Sequence, residues 1–121
     1  MAVKVYCDGS GKQAVFKIEG REPVVTPNVE GMTHNDSEYF AIILALRYIE
    51  ENLCPSRKYE IVSDSRLAIN QINGDWKVRN KRMERHTTTV HKLCWNAGTR
   101  PLRVTFVWVP RAELPIDASK A

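Results

Sequence analysis

The sequence predicts one α/β domain built on a mixed sheet, and three observations carry that reading. Short segments alternate apolar and polar residues at the strand period, and longer ones repeat apolar residues at the helical period. The two kinds follow one another in the order βββαβααβ before a helical stub. With 121 residues the chain holds one hydrophobic core and is too short for two, so residues 1–121 are read as a single domain. A hydrophobic fraction of 43% and a charged fraction of 26% exclude disordered, collagen-like and coiled-coil classes.

Residues 2–7 (AVKVYC) alternate as a strand and run into Asp8-Gly9-Ser10-Gly11, a turn signal. Residues 13–19 and 22–26 repeat the pattern around Gly20-Arg21, as antiparallel hairpin strands do, so a three-stranded meander opens the fold. From Asn35 the period changes. Tyr39, Phe40, Ile42, Ile43, Leu46, Ile49 and Leu53 recur at helical spacing, with Ser37 or Asp36 as cap and Pro55 as stop. Residues 59–63 (YEIVS) form a short strand, and Asp64 to Asn73 a short helix that Gly74-Asp75 ends. Arg79 to Ala97 reads as a further helix with Gly98 as C-cap, and residues 102–109 (LRVTFVWV) as the last strand. Leu114-Pro115-Ile116-Asp117 reads as a helix start that places Asp117 in the first turn.

No apolar run approaches the roughly 18 residues of a membrane span, and residues 2–7 read as strand instead of signal peptide; a cytoplasmic protein is expected. Cys7, Cys54 and Cys94 are widely spaced with no CxxC pair, which argues for three reduced thiols over a disulfide scaffold or zinc site. The formal charge of +4 is unevenly placed. From Arg66 to Arg111, ten Lys or Arg face only Asp75 and Glu84, a net of +8 that leaves −4 for the remainder. Such segregation offers a basic face to a polyanion and an acidic region able to hold cations.

Three acids stand at informative positions. Asp8 ends the first strand, Asp64 follows the fourth, and Glu38 lies in the first helix. If those two strands are parallel neighbours, both Asp side chains meet at the carboxyl ends, where open α/β sheets place their sites, and Glu38 reaches the same spot from the helix. Clustered carboxylates repel unless protonated or bridged by cations, so the constellation points to hard ions, Mg²⁺ or Mn²⁺.

Val5-Tyr6-Cys7-Asp8-Gly9-Ser10, Thr33-His34-Asn35-Asp36-Ser37-Glu38, Val62-Ser63-Asp64-Ser65 with Asn70-Gln71-Ile72-Asn73-Gly74, and Val107-Trp108-Val109-Pro110-Arg111 before Ile116-Asp117 together resemble type 1 ribonuclease H along the whole chain. The resemblance implies a five-stranded mixed sheet in the order 3-2-1-4-5, strand 2 antiparallel to the rest, flanked by helices. It implies a monomeric endonuclease that cleaves the RNA strand of RNA/DNA hybrids and leaves 5′-phosphate and 3′-hydroxyl ends. It also implies two Mg²⁺ ions, with Mn²⁺ able to substitute. Asp8 would bridge both ions, Glu38 and Asp64 would hold the one at the leaving oxygen, and Asp117 would complete the one that activates water. Thr33 matches a position that holds a phosphate of the DNA strand, and position 34 one that reads a ribose 2′-hydroxyl. Gly9, Ser10, Asn35, Asn80 and Arg111 complete the substrate set with Trp76, Lys77 and Arg79, which would meet phosphate and a sugar or base face.

The sequence departs from the family pattern at two places. Position 34 is His instead of Asn, and the loop Pro110 to Ile116 carries Arg111 and Glu113 but no His and is a residue short. Asp75 to Arg82 leads directly into a helix, as in a compact form lacking the inserted basic helix and loop. Gly9-Ser10-Gly11-Lys12 imitates a phosphate loop, but Gln13 stands where Ser or Thr belongs. His91 and Cys94, with His86 nearby, have no second pair to complete a zinc site. Two rival functions share the fold: a noncatalytic nucleic-acid-binding domain and a resolvase-like nuclease.

Overall fold

The computed structural model describes residues 1–54, 56–95 and 101–120. Its sheet contains β1 (Val3–Gly9), β2 (Gln13–Ile18), β3 (Val24–Pro27), β4 (Lys58–Ser63) and β5 (Arg103–Trp108), in the order β3-β2-β1-β4-β5. β2 runs antiparallel to both β1 and β3, while β4 is parallel to β1 and β5. The helices are α1 (His34–Asn52), α2 (Arg66–Ile72) and α3 (Lys81–Cys94). The expected element order and sheet order are both present.

One face of the sheet carries the main core. Val5 and Cys7 of β1, Ala14, Phe16 and Ile18 of β2, and Tyr59 and Ile61 of β4 bury against Tyr39, Ile42, Leu46 and Ile49 of α1. Ala41 and Ala45, both fully buried, add little bulk to the helix face that lies on the strands. Met83, Thr87, Val90 and Cys94 recur along one side of α3 and are buried, as an amphipathic helix requires. A buried hydroxyl network joins the three helices: Tyr39 donates to Gln71 Oε1 at 2.6 Å and lies 3.1 Å from Thr87 Oγ1.

The N-terminus of α1 differs from expectation. Thr33 is the cap, not Ser37 or Asp36. Thr33 Oγ1 accepts from Asp36 N–H (3.2 Å), while Asp36 Oδ2 accepts from Thr33 N–H (2.8 Å), a capping box that ties two orphan donors to each other. Ser37 is fully buried and donates toward Gln13 O and Asn28 Oδ1, which fastens the first turn to β2. α2 starts two residues later than expected because Ser65 caps it, and α3 likewise because Asn80 caps it. Pro55 and the 96–100 segment, on which the expected helix stop, the end of the last helix and the Gly98 cap fall, lie outside the described residues.

The chain end is the main correction. No helix begins at 114–117. A single 3₁₀ turn at Arg111–Glu113 leads into an open stretch in which Leu114, Ile116 and Ala118 are buried and Pro115 is exposed. Burial at every second residue is the period of extended chain. These three side chains cover Val15 and Val62 on the face of the sheet opposite α1, a job that a helix of so few residues would do with fewer side chains. Gln13 Nε2 donates to Ala118 O at 2.8 Å and fixes this strap to β2.

Candidate active site

Register builds the site. Cys7 of β1 pairs with Ser63 of β4 in parallel, so Asp8 and Asp64, one residue further on, stand together at the carboxyl ends of the two central parallel strands. Alternation along β1 turns Asp8 away from the face where Val5 and Cys7 meet α1. Asp64 is steadied through its backbone, since the Trp108 indole donates to Asp64 O at 3.0 Å. Glu38 arrives from α1 just past the helix's first turn, which rests directly on Gly9. A Cβ built at Gly9 would lie 2.3 Å from Ser37 C and 2.4 Å from Glu38 N, so only glycine leaves room for the helix to sit this close.

Ligand atoms of Asp8, Glu38 and Asp64 lie within 4.8 Å of one another, and among the described residues no other acid, His or Cys group of three is so arranged. Asp8 and Glu38 are buried, Asp64 partly so. Burial, then the charges of Asp8 and Asp64, push the Glu38 carboxyl up to about 9; burial, then Asp8, raises Asp64. Glu38 Oε2 is buried with no hydrogen-bond partner, while Oε1 lies 3.2 Å from the exposed His34 Nε2. An all-oxygen donor set with one orphaned carboxylate oxygen fits a hard divalent cation, which would satisfy that atom and offset the repulsion.

The three acids open into a cleft of about 490 Å³ that also presents Gly9, Ser10, His34, Asn35, Arg111 and Asp117. Asp117 is set apart from the triad. It is partly exposed, its Oδ1 accepts from Ser119 N–H (3.0 Å) and Oγ–H (2.6 Å), and those bonds hold its carboxyl below the usual range. Thr33, Trp76, Lys77, Arg79 and Asn80 do not line the cleft. Lys77 and Arg79 are exposed, as is Trp76 at 46%, whereas Thr33 and Asn80 spend side-chain oxygens on capping. Arg66 was not anticipated. It lines the cleft with its guanidinium 4.4 Å above the Trp108 ring, and its place two residues after Asp64, at the start of a helix leaving the same strand end, was the available signal. His86 is engaged by Asp36 Oδ1 (2.8 Å) and His91 by Ile72 O (2.9 Å), so neither forms a metal pair with Cys94.

The Glu38 shift has a sign that can be checked. Folded protein keeps on Glu38 a proton that the unfolded chain loses near the ordinary 4.5, so stability falls as pH rises from 4.5 to about 9. In EDTA at pH 9, Glu38→Gln should melt about 4 °C or more above wild type, the shift that ~1 kcal/mol produces in a domain of this size. At pH 4.5 the two should nearly coincide. Equal melting temperatures at both pH values would show that Glu38 is ionised in the folded protein.

A mixed sheet in the order 3-2-1-4-5, with carboxylates gathered at the ends of its central parallel strands, defines a ribonuclease H-like protein. The RNase H family model matches residues 1–111. The chain belongs to the RNase H family, which makes it a ribonuclease H by family and a hydrolase by class. Solved structures agree on the fold. RNase H1 of the halophilic archaeon Halobacterium salinarum NRC-1 superposes with a TM-score of 0.73 at 22% identity, over 93% of this chain and 88% of that one. LC11-RNase H1, solved in complex with an RNA/DNA hybrid, gives 0.75 at 20% identity over the same shares. The N-terminal RNase H domain of rv2228c from Mycobacterium tuberculosis gives 0.72 at 21%, over 93% and 86%. No curated protein is similar enough in sequence to count as a relative. No helix among the described residues is long and apolar enough to cross a membrane.

Proposed function

We propose that this chain, acting as a single domain over residues 1–121 and as a monomer, cleaves the RNA strand of RNA/DNA hybrids and leaves 5′-phosphate and 3′-hydroxyl ends. The observation that carries the reading is the convergence of Asp8, Glu38 and Asp64 in an RNase H-family fold, with the buried Glu38 Oε2 lacking a partner. Two Mg²⁺ ions, or Mn²⁺ in their place, would be held by Asp8 with Glu38 and Asp64 and by Asp8 with Asp117. When bound, such a pair supplies a water acidic enough to attack phosphorus at neutral pH and offsets charge on the leaving oxygen.

The rest falls to the chain itself. Attack by a water activated in this way asks for no side-chain nucleophile. Asp8 on β1, Glu38 on α1 and Asp64 directly after β4 are placed by strand pairing and helix packing, so the donors keep their spacing without reorganising. His34 stands at the mouth of the cleft beside Glu38, where a ribose 2′-hydroxyl of the RNA strand would pass, and Gly9, Ser10 and Asn35 present further polar groups there. Outside the cleft, Lys77 and Arg79 offer charge and Trp76 an exposed ring, with Asn80 next in the chain at the start of α3 and Thr33 at the start of α1, groups suited to the DNA strand's phosphates. LC11-RNase H1, a protein of this fold, was solved with a hybrid, which supports the substrate class. Free Cys7, Cys54 and Cys94 suit a reducing compartment such as the cytoplasm.

The test incubates the protein with labelled RNA/DNA hybrid, double-stranded RNA, single-stranded RNA and branched DNA, each with Mg²⁺, Mn²⁺ or EDTA. The expected result is cleavage of the hybrid's RNA strand with either metal and none in EDTA. A hybrid bound but uncut under every condition would mark a noncatalytic binding domain. Cleavage of branched DNA alone would mark a resolvase-like nuclease.

A further inference from the structure

Between the two aspartates of the site stands a cation that the chain itself supplies. Arg111, first residue of the 3₁₀ turn after β5, donates from Nη1 to Asp8 Oδ2 (2.9 Å) and to Asp64 Oδ2 (3.0 Å). Its other terminal nitrogen, Nη2, donates to Ile116 O in the strap. Asp117 adds a third negative charge within electrostatic reach. One guanidinium thus offsets part of the negative charge that the proposed function assigns to divalent ions.

A guanidinium does not deprotonate in a protein, so it cannot make way for a metal by losing its charge. It must move. The geometry allows this, because the Arg111 side chain is 47% exposed while Asp8 is 3% exposed, so the arginine can swing into solvent without unpacking a core. An arginine left at about 3 Å from the same oxygens would repel an arriving divalent ion strongly.

We propose that Arg111 is the resident counter-ion of the acidic site, and that divalent-cation binding is an exchange in which Arg111 is displaced from Asp8 and Asp64. The inference rests on reading these aspartates as cation ligands. Exchange has a definite consequence: part of the metal's binding energy goes into breaking the arginine's ion pairs, so the protein binds metal more weakly than its carboxylates alone would. Arg111 therefore sets the metal concentration at which the site fills, and it offsets carboxylate repulsion in the apoprotein until then.

The test compares wild type, Arg111→Ala, Arg111→Gln and Asp8→Asn by calorimetric titration with Mn²⁺ alone at fixed ionic strength, and by thermal melting in EDTA. Arg111→Ala should melt below wild type in EDTA yet bind Mn²⁺ about fivefold more tightly, since releasing a pair whose arginine is half-exposed returns about 1 kcal/mol to metal binding. Arg111→Gln loses the charge but keeps a polar amide and most of the aliphatic stem, so it should show the same tightening with a smaller loss of melting temperature. A purely structural arginine would instead lower both stability and metal affinity. Unchanged or weaker Mn²⁺ binding in both Arg111 variants, with wild type binding and Asp8→Asn not, would overturn the exchange while leaving the cation site standing. Absence of Mn²⁺ binding in all four proteins would overturn the site itself and the exchange with it.

Discussion

Asp8→Asn should lower cleavage of an RNA/DNA hybrid by about a hundredfold or more while leaving hybrid affinity within a few-fold of wild type. Asp8 is the central member of the triad, buried, and shared in the proposed mechanism by both ions. An amide of the same shape retains the fold: its oxygen can still accept the Ala118 N–H that Asp8 Oδ2 accepts at 2.8 Å, so the strap stays in place. What the variant loses is the negative charge. Asp117→Asn should cost less, because Asp117 is partly exposed, stands outside the triad, and has its carboxylate hydrogen-bonded to Ser119 in its own turn. Single-turnover cleavage with Mg²⁺, alongside fluorescence anisotropy with a hybrid in EDTA, separates chemistry from binding. Retention of more than a few per cent of wild-type cleavage by Asp8→Asn would refute its assignment, and equal losses in the two variants would show Asp117 to be as firmly engaged as Asp8.

The parts of this site legible in the sequence are those fixed by local pattern. Strand alternation placed Asp8 and Asp64 at strand ends, the helical period placed Glu38 in the first helix, and the order of elements allowed the two strands to be parallel neighbours. The parts that were not legible depend on partners distant in the chain. Ser37 has the chemistry of a cap, but β2 and Asn28 take its hydroxyl, and the reciprocal bonds of Asp36 move the cap to Thr33. Leu114-Pro115-Ile116 carries a helix-start signal, yet Val15 and Val62 are kept from water by an extended strap, a demand set by strands far away in the chain. Arg111 reads as a substrate contact in a basic stretch. Its ion pair with Asp8 spans 103 residues, and no local pattern encodes that.

Gly9→Ala should destabilise the protein by roughly 2–3 kcal/mol, at the upper end for overpacking, and lower hybrid cleavage by about a hundredfold. The backbone dihedral is not the reason, since Gly9 is not among the glycines with positive φ. Space is the reason. The added methyl would stand 2.3 Å from Ser37 C, 2.4 Å from Glu38 N and 2.5 Å from Ser37 O, all backbone atoms of α1 that cannot rotate away as a side chain would. Relief requires the first turn of α1 to lift off β1. That turn is tied by Ser37 to Gln13 O and Asn28, and by Asp36 to Arg82 and His86 of α3, so the shift either breaks those bonds or strains them. Whichever gives way, Glu38 follows directly on the moving turn and shifts with it, and a displacement near 1 Å is enough to spoil a site whose donors must converge. Gly11→Ala is the matched control: nothing lies within 4 Å of its Cβ position, so its melting temperature and activity should stay close to wild type. Thermal melting and hybrid cleavage of both variants check the argument. A Gly9→Ala protein that melts with wild type and cleaves at its rate would mean that α1 has room to yield, and that Glu38 is not held in place by its contact with the first strand.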